Sequence, residues 1–471
     1  MRLYNTLTRR EEPFTPSQGN TVRMYSCGLT VYARGHIGNF RTFVALDVLR
    51  RALESEGYAV QQVRNYTDAD DRTIVESVKA GRPLREYTQQ FVEAFERDAA
   101  AVGLEPVEFA PRATDHIPAM AGMIQALERN GHTYDSDGSI YFKISTFPEY
   151  GKLARLDHTG IKSGARVDAD KYEKEDARDF VLWKGARPGE PQWENGLPPG
   201  RPGWHIECSA MAEELLAPLP IDIHGGGVDL IFPHHENEIA QAEAATKRQF
   251  ARFWTHVEHL MIEEEERSEK MSKSLGNVYN LEDIVAQGFR GSTLRYLYLG
   301  THYRKQLKFS WSAMGQAEEA LKRLTDFLAR LDALPAGEAH AETVEQLREA
   351  SAAFAEHVRS DLNVAAGLGV IFELVRSLNF KIDAHELRDG DGDAIRATFD
   401  RFDRVLGILS LRRAEDQRPP VPVEEIEQLI EARRAARAAR SFAEADTIRK
   451  DLEARGIVLE DTPAGTRWKR K

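Results

Sequence analysis

A strand, a helix and a second strand follow one another near the start of the chain, and this order constrains the fold most. The segment Thr21–Tyr32 contains β-formers and leads into a turn of small residues at Cys27–Thr30. Apolar residues recur at helical spacing through Phe40–Glu56, and Gly57 is typical of a helix end. Tyr58–Tyr66 again favours a strand. Such a unit predicts a parallel sheet with a functional site where its strands end.

The rest of the chain divides at loop-like stretches and at changes of periodicity. Residues 185–203 are dense in Pro and Gly, which predicts a loop closing an insertion between two halves of the sheet domain. Helical spacing prevails after Ser310, and the linker Arg413–Pro422 precedes a last small unit. We expect an α/β fold, in which a Rossmann-type parallel-sheet domain with an insertion is followed by a helical bundle and a small C-terminal domain. The expected boundaries are 1–114 and 204–262 for the halves of the sheet domain, 115–203 for the insertion, 263–314 for a charged loop region, 315–412 for the bundle and 423–471 for the last domain.

Local signals refine this outline. The pair Asp137-Gly138 predicts a hairpin turn inside the insertion. In the second half of the sheet domain, Ile221–Ile223 predicts a short strand followed by a turn at Gly225–Gly227. Pro233 is placed as the first residue of a helix. Phe253–Ile262 predicts one further strand.

Composition bears on partners and on compartment. The 471 residues carry 63 Lys and Arg against 75 Asp and Glu, a formal charge of −12. An acidic average argues against nucleic acid as the main partner, although a local basic field can still bind it. No uncharged run approaches the ~20 apolar residues that a membrane span needs, and the start of the chain lacks the apolar stretch of a secretory signal. We therefore expect a cytoplasmic protein that contacts no membrane.

The chain has only two cysteines, Cys27 and Cys208, and a structural disulfide is not expected in a large cytosolic protein. His234 and Glu238 lie four residues apart on a predicted helix, so they share a face. Thiolates, imidazole and carboxylate all bind Zn²⁺, and the four residues form a candidate zinc site. Because they come from three distant segments, a second interpretation stays open. In it the cysteines are small buried residues, His234 makes an ordinary hydrogen bond and Glu238 lies in solvent.

Two further motifs suit a polyphosphate. His36-Ile37-Gly38-Asn39 opens a helix, whose free N–H groups and dipole favour phosphate. Residues 270–277 read KMSKSLGN, in which Lys270 and Lys273 flank a serine, and lysine is a compact charge suited to terminal phosphates. Each motif has a plain alternative, namely a turn with a capping asparagine and a lysine-rich surface loop.

These two motifs together make the chain resemble the class I aminoacyl-tRNA synthetases, which pair a His-x-Gly-His helix start with a downstream KMSKS loop. Longer blocks are similar to those of the cysteinyl-tRNA synthetase family. They are CGLTVY at 27–32, NYTDADD at 65–71, RPGWHIECSAM at 201–211 and DIHGGGVDLIFPHHENEIAQ at 222–241. The resemblance extends to Lys471. It marks the sheet domain as catalytic, 263–314 as the KMSKS loop and stem-contact region, and 423–471 as an anticodon-binding domain.

The resemblance also implies a reaction and the residues that serve it. The reaction is ATP-dependent ligation of L-cysteine to tRNA(Cys) through a cysteinyl-adenylate, with Mg²⁺ on ATP and one Zn²⁺ that selects the cysteine thiolate. The zinc ligands implied are Cys27, Cys208, His234 and Glu238. The residues implied in ATP binding and catalysis are His36, Gly38, Asn39, Lys270 and Lys273. The residues implied in the cysteine pocket are Gly28, Thr30, Thr67, Trp204, His224 and Asp229.

The sequence departs from the family pattern in three places. Asn39 replaces the final histidine of the ATP motif, so this position carries no charge and donates through an amide. The acidic stretch Glu263–Glu266 lengthens the approach to the KMSKS loop. Phe442 stands where the family often has tryptophan, and a phenyl ring still stacks on a base. The residues expected at the anticodon are Arg437, Phe442, Asp446, Asp461 and Trp468, because guanidinium, aromatic and carboxylate groups read unpaired bases.

Two other functions share parts of this pattern. A cysteine ligase of thiol-cofactor (mycothiol-type) biosynthesis resembles the same catalytic and zinc blocks but lacks a full anticodon-binding part. A non-catalytic, synthetase-like tRNA binder would not need the lysines that face pyrophosphate. The arginine-rich helix and basic tail near the C-terminus argue against the first alternative, and the intact motifs argue against the second. We expect a monomer.

Overall fold

The computed structural model describes residues 1–156, 179–264, 267–270, 278–418, 421–462 and 465–470. Within these ranges, no helix combines the length and the apolar character that crossing a membrane requires. The strands, in chain order, are β1 (Arg2–Asn5), β2 (Arg10–Pro13), β3 (Thr21–Thr30), β4 (Ala59–Thr67), β5 (Thr133–Ser136), β6 (Ser139–Phe142), β7 (Phe180–Gly185), β8 (Gly200–Pro202), β9 (Ile221–Gly227), β10 (Ala251–Val257), β11 (Leu260–Glu264), β12 (Arg267–Lys270), β13 (Leu307–Phe309), β14 (Ile457–Thr462) and β15 (Gly465–Arg470).

The α-helices alternate with these strands in the first half of the chain and dominate the second. They are α1 (Ile37–Ser55), α2 (Asp71–Lys79), α3 (Leu84–Ala101), α4 (Ile117–Arg129), α5 (Trp204–Leu215), α6 (Glu236–Thr246), α7 (Leu281–Ala286), α8 (Gly291–Leu299), α9 (Trp311–Arg330), α10 (Ala341–Arg359), α11 (Val364–Asp383), α12 (Asp389–Leu406), α13 (Leu409–Asp416), α14 (Val423–Ala438) and α15 (Phe442–Ala454).

A parallel sheet forms the centre of the molecule, in the strand order β10-β9-β3-β4. The predicted strand–helix–strand unit is confirmed as β3, α1 and β4. Helix α1 buries Phe40, Val44 and Leu49 in the same core as Val22 and Met24 of β3. Because the strands are parallel, their carboxyl ends meet at one edge, where β3 ends at Thr30 beside the last residue of β4, Thr67.

A separate antiparallel sheet lies between the two halves of the central sheet along the chain. Its order is β5-β6-β7-β8, and it falls inside the range predicted for the insertion. The turn between β5 and β6 is formed by Asp137 and Gly138, which both have positive φ (47° and 73°). Since a two-residue turn of this type favours Asp-Gly, the predicted hairpin is confirmed.

Helices α9 to α13 form the helical region that the sequence predicts after Ser310. A smaller unit follows, built from α14, α15 and the β14–β15 hairpin. It has its own core, formed by Val421, Ile426, Ile430, Leu452, Ile457 and Leu459.

Three local predictions are wrong. Gly225–Gly227 belong to β9 and form no turn, because these glycines serve close packing: a Cβ on Gly225 would lie 2.6 Å from Cδ2 of Leu46 in α1. The single strand predicted over Phe253–Ile262 is two strands, β10 and β11, which belong to different sheets. The helix expected to begin at Pro233 begins at Glu236, after an irregular turn at Ile231–His235.

Candidate metal centre and active site

The four candidate metal ligands come together at the carboxyl edge of the central sheet. Cys27 lies near the end of β3, Cys208 in the middle of α5, and His234 in the turn that leads into α6, where Glu238 follows. All four are buried, and one donor atom from each lies within 4.8 Å of the others. The structure thus unites side chains from three segments of the chain, as a shared metal requires.

Individual contacts show how tight this cluster is. The two sulfur atoms of Cys27 and Cys208 are 3.8 Å apart, and Cys27 Sγ is 3.5 Å from Glu238 Oε1. His234 Nε2 is 3.0 Å from the same carboxylate oxygen. On its other side, His234 Nδ1 is 2.8 Å from Nδ1 of the buried His205. Such an outer partner fixes the ring of a metal-binding histidine.

A second set of donors overlaps the first. Cys27, His224, His235 and Glu238 also offer donor atoms that lie within 4.8 Å of one another. His224 Nε2 is 2.8 Å from Glu238 Oε2, and His235 Nε2 is 3.4 Å from Cys27 Sγ. His235 is supported in turn by His256, at 2.8 Å. The sequence analysis named His224 only as a pocket residue and missed His235 and His256, although the pair His234-His235 was a visible signal.

The electrostatics of the cluster suit a cation. Burial by itself would raise the pKa of Glu238, but His224 and His234 hold it well below its usual range. A hydrogen bond with Cys27 lowers the pKa of Cys208 to about 6, against the effect of burial. Burial opposes a charge on His234, yet the neighbouring Glu238 and Cys208 raise its pKa to about 10. Cys208 and Glu238 therefore lose their protons readily although they are buried, as the anionic ligands of a metal site must.

Burial favours the neutral form of three further histidines near the cluster, which are His205, His235 and His256. Burial, reinforced by His234, lowers the pKa of His205 well below its usual value. Burial and His224 do the same to His235, and burial lowers the pKa of His256 to about 3. A neutral imidazole has a free nitrogen lone pair that can bind a metal, whereas imidazolium has none.

The residues predicted for the cysteine pocket come from several elements, and Trp204 contacts the cluster directly. Thr30 and Thr67 are paired in register at the ends of β3 and β4. The indole of Trp204, the first residue of α5, stacks on His234 with ring centres 4.3 Å apart. Asp229 lies in a short helical turn directly after β9. Their roles toward a substrate stay predictions.

The ATP motif forms the start of α1. His36 is the N-cap: its Nδ1 accepts the backbone N–H of Asn39 at 3.2 Å, and Asn39 Oδ1 accepts the backbone N–H of His36 at 3.0 Å. Asn39 thus caps the helix, as the plain alternative for this motif predicts. Because Nδ1 accepts, the proton of the neutral ring lies on Nε2, the nitrogen that can donate to a phosphate oxygen.

The helix start also contacts the segment that follows the KMSKS loop. The backbone N–H of Ile37 donates to the carbonyl of Tyr279 at 2.9 Å, and the Tyr298 hydroxyl donates to the carbonyl of Ile37 at 2.6 Å. The start of α1 therefore contacts Tyr279, two residues after the KMSKSLGN segment. Lys273 lies outside the described residues, as does the side chain of Lys270, the last residue of β12.

The candidate anticodon residues occupy the C-terminal unit and are mostly exposed. Phe442 begins α15 with 62% of its surface exposed, and Asp446 follows on the same helix. Arg437 and Asp461 bond to each other at 2.8 Å, and Asp461 also binds the buried Arg433. The Trp468 indole N–H donates to Glu427 at 3.1 Å. Arg433 is thus a buried ion-pair partner of Asp461, unlike the exposed Arg437 of the same helix.

Comparisons with known proteins agree with this architecture. Residues 13–319 match the model of the tRNA synthetases class I (C) catalytic domain, 353–411 that of a DALR domain, and 421–468 that of the cysteinyl-tRNA ligase anticodon binding domain. A methionyl-tRNA synthetase from Mycobacterium tuberculosis, solved with methionyl-adenylate, shares the fold with a TM-score of 0.57 at 16% identity, over 83% of this chain and 89% of that one. The fold and the catalytic-domain match are those of a class I aminoacyl-tRNA synthetase.

Curated relatives define the family more closely. The chain is 48% identical to a Cysteine--tRNA ligase of Solibacter usitatus over 100% of both chains. It is 43% identical to a Cysteine--tRNA ligase of Brachyspira hyodysenteriae over 99% of both. The chain belongs to the cysteine--tRNA ligase family, as the resemblance of its sequence blocks predicts.

Proposed function

We propose that this chain attaches L-cysteine to tRNA(Cys) in two steps, with cysteine chosen by a zinc ion in the buried Cys27 cluster. In the first step the cysteine carboxylate attacks the α-phosphate of ATP, carried with Mg²⁺, and pyrophosphate leaves. In the second a ribose hydroxyl at the 3′ end of the tRNA takes the cysteinyl group from the adenylate. The match of residues 421–468 to an anticodon binding domain supports tRNA as the acceptor. We further propose that the enzyme acts in the cytoplasm as a monomer.

The buried cluster carries this proposal, because it answers the problem of selectivity. Serine differs from cysteine by one atom, and a shaped apolar pocket rejects such a near-isostere by only ~1–3 kcal/mol. When bound, Zn²⁺ supplies a soft Lewis acid that favours sulfur and promotes loss of the thiol proton. The packed surroundings of Cys208 and Glu238 exclude water, which strengthens that preference.

Of the two overlapping donor sets, we propose that zinc takes Cys27, Cys208, His234 and Glu238. This set offers two sulfur donors, and thiolates bind zinc well. Its Cys208 and Glu238 carry lowered pKa values, so both deprotonate readily for a metal. His224 and His235 then support the ligands from outside, His224 by orienting the far oxygen of Glu238.

The chain's own residues arrange the reacting groups. The capping box holds His36 at the start of α1, and we propose that its Nε2–H donates to the α-phosphate, where negative charge builds in the transition state. Gly38 keeps this approach open, and Asn39 fixes the ring. Lys270 and Lys273 are proposed to bind the departing pyrophosphate.

The test begins with the metal content of the purified protein and with charging of tRNA(Cys) by labelled cysteine. We expect about one zinc per chain and cysteine-specific aminoacylation. The variant Cys208→Ser should lose zinc and cysteine-dependent ATP–pyrophosphate exchange together. His235→Asn serves as the matched variant, since it removes a donor of the second set only and should weaken zinc binding far less than Cys208→Ser.

The reverse pattern, in which His235→Asn loses zinc and Cys208→Ser keeps it, would assign the metal to the second set. Active protein free of any transition metal would refute the zinc proposal. A folded, zinc-loaded protein that activates cysteine and never charges tRNA(Cys) would refute the proposed acceptor.

A further inference from the structure

The residue that delivers Cys27 to the metal centre lies in an irregular part of β3. The register of β3 against β4 shifts between Ser26, which faces Arg64, and Leu29, which faces Tyr66. Cys27 and Gly28 therefore both oppose the single residue Asn65. Such a β-bulge bends the strand and redirects its side chains, and here the redirected side chain is a candidate metal ligand.

A bulge leaves backbone groups without their ladder partners, and Asn65 supplies one. Its Oδ1 accepts the backbone N–H of Gly28 at 2.8 Å, so this amide replaces a missing strand-to-strand hydrogen bond. The approach of the two strands is very close at this point. A Cβ on Gly28 would lie 1.6 Å from the backbone carbonyl oxygen of Asn65, which excludes every residue except glycine.

The other end of the same amide faces the predicted cysteine pocket. Asn65 Nδ2 donates to the hydroxyl of Thr67 at 3.3 Å. Asn65 Oδ1 also lies 3.9 Å from the sulfur of Cys208. Asn65 and Thr67 are 1% and 2% exposed, so water does not compete for these bonds.

We propose that Asn65 is a positioning residue that couples the two halves of cysteine recognition. Through Gly28 it fixes the bulge that aims Cys27 at the metal, and through its amide N–H it orients the Thr67 hydroxyl toward the substrate. The inference rests on the proposed function, since both targets are groups assigned to zinc and cysteine. It adds a residue that contacts neither the metal nor the substrate.

Asparagine suits this position better than its chemical neighbours. The Gly28 N–H needs an acceptor, and the Thr67 hydroxyl oxygen accepts from a donor. The short carboxamide of asparagine provides both groups in one plane. Aspartate offers acceptors only and would add a buried negative charge near Cys208 and Glu238. Alanine leaves the Gly28 N–H without a partner.

The test compares Asn65→Ala with a matched control in the same pair of strands. Gln62→Ala removes a buried side chain that also bonds across β3 and β4, from Gln62 Nε2 to Ser26 Oγ at 3.3 Å, before the bulge. Zinc affinity is measured by competition with a chelator, and KM for cysteine and for ATP by pyrophosphate exchange. The spectrum of the Co²⁺-substituted protein reports the thiolate ligands directly.

For Asn65→Ala we expect zinc affinity to fall about 10- to 100-fold, the size reported for outer-shell partners of metal ligands. We also expect a higher KM for cysteine, a weaker sulfur-to-cobalt band, and a KM for ATP unchanged within about twofold. Gln62→Ala should leave all four quantities unchanged. Unchanged zinc affinity and cysteine KM in Asn65→Ala, or equal losses in Gln62→Ala, would overturn the inference.

If Asn65→Ala does not fold, Asn65→Asp tests the proposal in its place. This variant keeps an acceptor for the Gly28 N–H and loses the donor to the Thr67 hydroxyl. Its KM for cysteine should rise while its zinc content stays that of the wild type. An unchanged KM, or loss of the zinc as well, would overturn the coupling. A wild type that bound no zinc and activated no cysteine would refute the proposed function itself, whereas an active wild type with an indifferent Asn65 refutes only this inference.

Discussion

The candidate metal centre and the C-terminal unit show two opposite ways of building a recognition surface. The metal centre gathers buried side chains from β3, α5 and the start of α6, and Cys208 and Glu238 are 1% and 0% exposed. The C-terminal unit is built from neighbouring segments around a small core, and it leaves Phe442 62% exposed. The difference fits the ligands proposed for the two regions. A thiol must be desolvated and held by rigid donors, whereas a flexible RNA loop needs accessible rings and charges.

The comparison predicts that the two regions can be disabled separately, and the largest effect is expected on the catalytic side. Lys273→Ala should slow cysteine-dependent ATP–pyrophosphate exchange by about 10²- to 10³-fold, because it removes a cation from the developing pyrophosphate charge. Zinc content and tRNA affinity should stay those of the wild type. Stopped-flow exchange and a tRNA binding titration measure the two quantities. Weakened tRNA binding of similar size would contradict the separation.

The pH dependence of metal affinity tests the protonation of the ligands in the candidate metal centre. In the metal-free protein the pKa of His234 is about 10 and that of Cys27 is raised well above its usual value, chiefly by burial, so both sites hold a proton at pH 7. A metal ion must displace these two protons, and its affinity therefore rises with pH. We expect a gain of about 100-fold per pH unit near neutrality in chelator competition. A flat profile would show that the donors are already deprotonated.

A titration of tRNA binding at different pH values gives the contrasting case in the C-terminal unit. Hydrogen bonds from Arg433 and Thr466 hold the pKa of Asp461 well below its usual range. Since a carboxylate with a lowered pKa stays charged until the pH falls through that value, tRNA affinity should be constant between pH 6 and 8 as far as Asp461 contributes.

The smallest expected effect concerns the exposed ring at the start of α15. Phe442→Ala should weaken tRNA(Cys) binding by about 1–3 kcal/mol through loss of base stacking and leave pyrophosphate exchange unchanged. Phe380→Ala is the matched control, because Phe380 is 72% exposed on α11 and lies outside the C-terminal unit. Equal losses in both variants, measured by fluorescence titration, would remove Phe442 from the anticodon site.

Several parts of the fold were predictable because their signals are local. The βαβ unit follows from the apolar spacing of residues 21–66, and the insertion hairpin follows from Asp137-Gly138. Gly225–Gly227 misled the analysis because a glycine run is also used where a helix packs closely on a strand. That choice depends on Leu46 in α1, which no local pattern reveals.

The candidate site divides in the same way. The motifs around His36 and Lys273 and the set Cys27, Cys208, His234 and Glu238 came from sequence blocks, and the structure places that set in one cluster. It also adds His235, His256 and Asn65, to which the sequence analysis gave no role, although Asn65 and His235 lie inside the quoted blocks. Their importance arises from contacts with residues far away in the chain, such as the 3.4 Å approach of His235 to Cys27.

The sequence by itself determined the class of fold, the family and the chemical types of the candidate ligands, because these depend on periodicity and on residue identity at fixed spacing. Only the tertiary structure decided that four ligands from three segments share one desolvated space, that a second donor set overlaps them, and that a bulge against Asn65 aims Cys27 inward. The physical reason is that burial, pKa and hydrogen-bond partners are set by residues brought together across the sheet, which spacing along the chain does not encode.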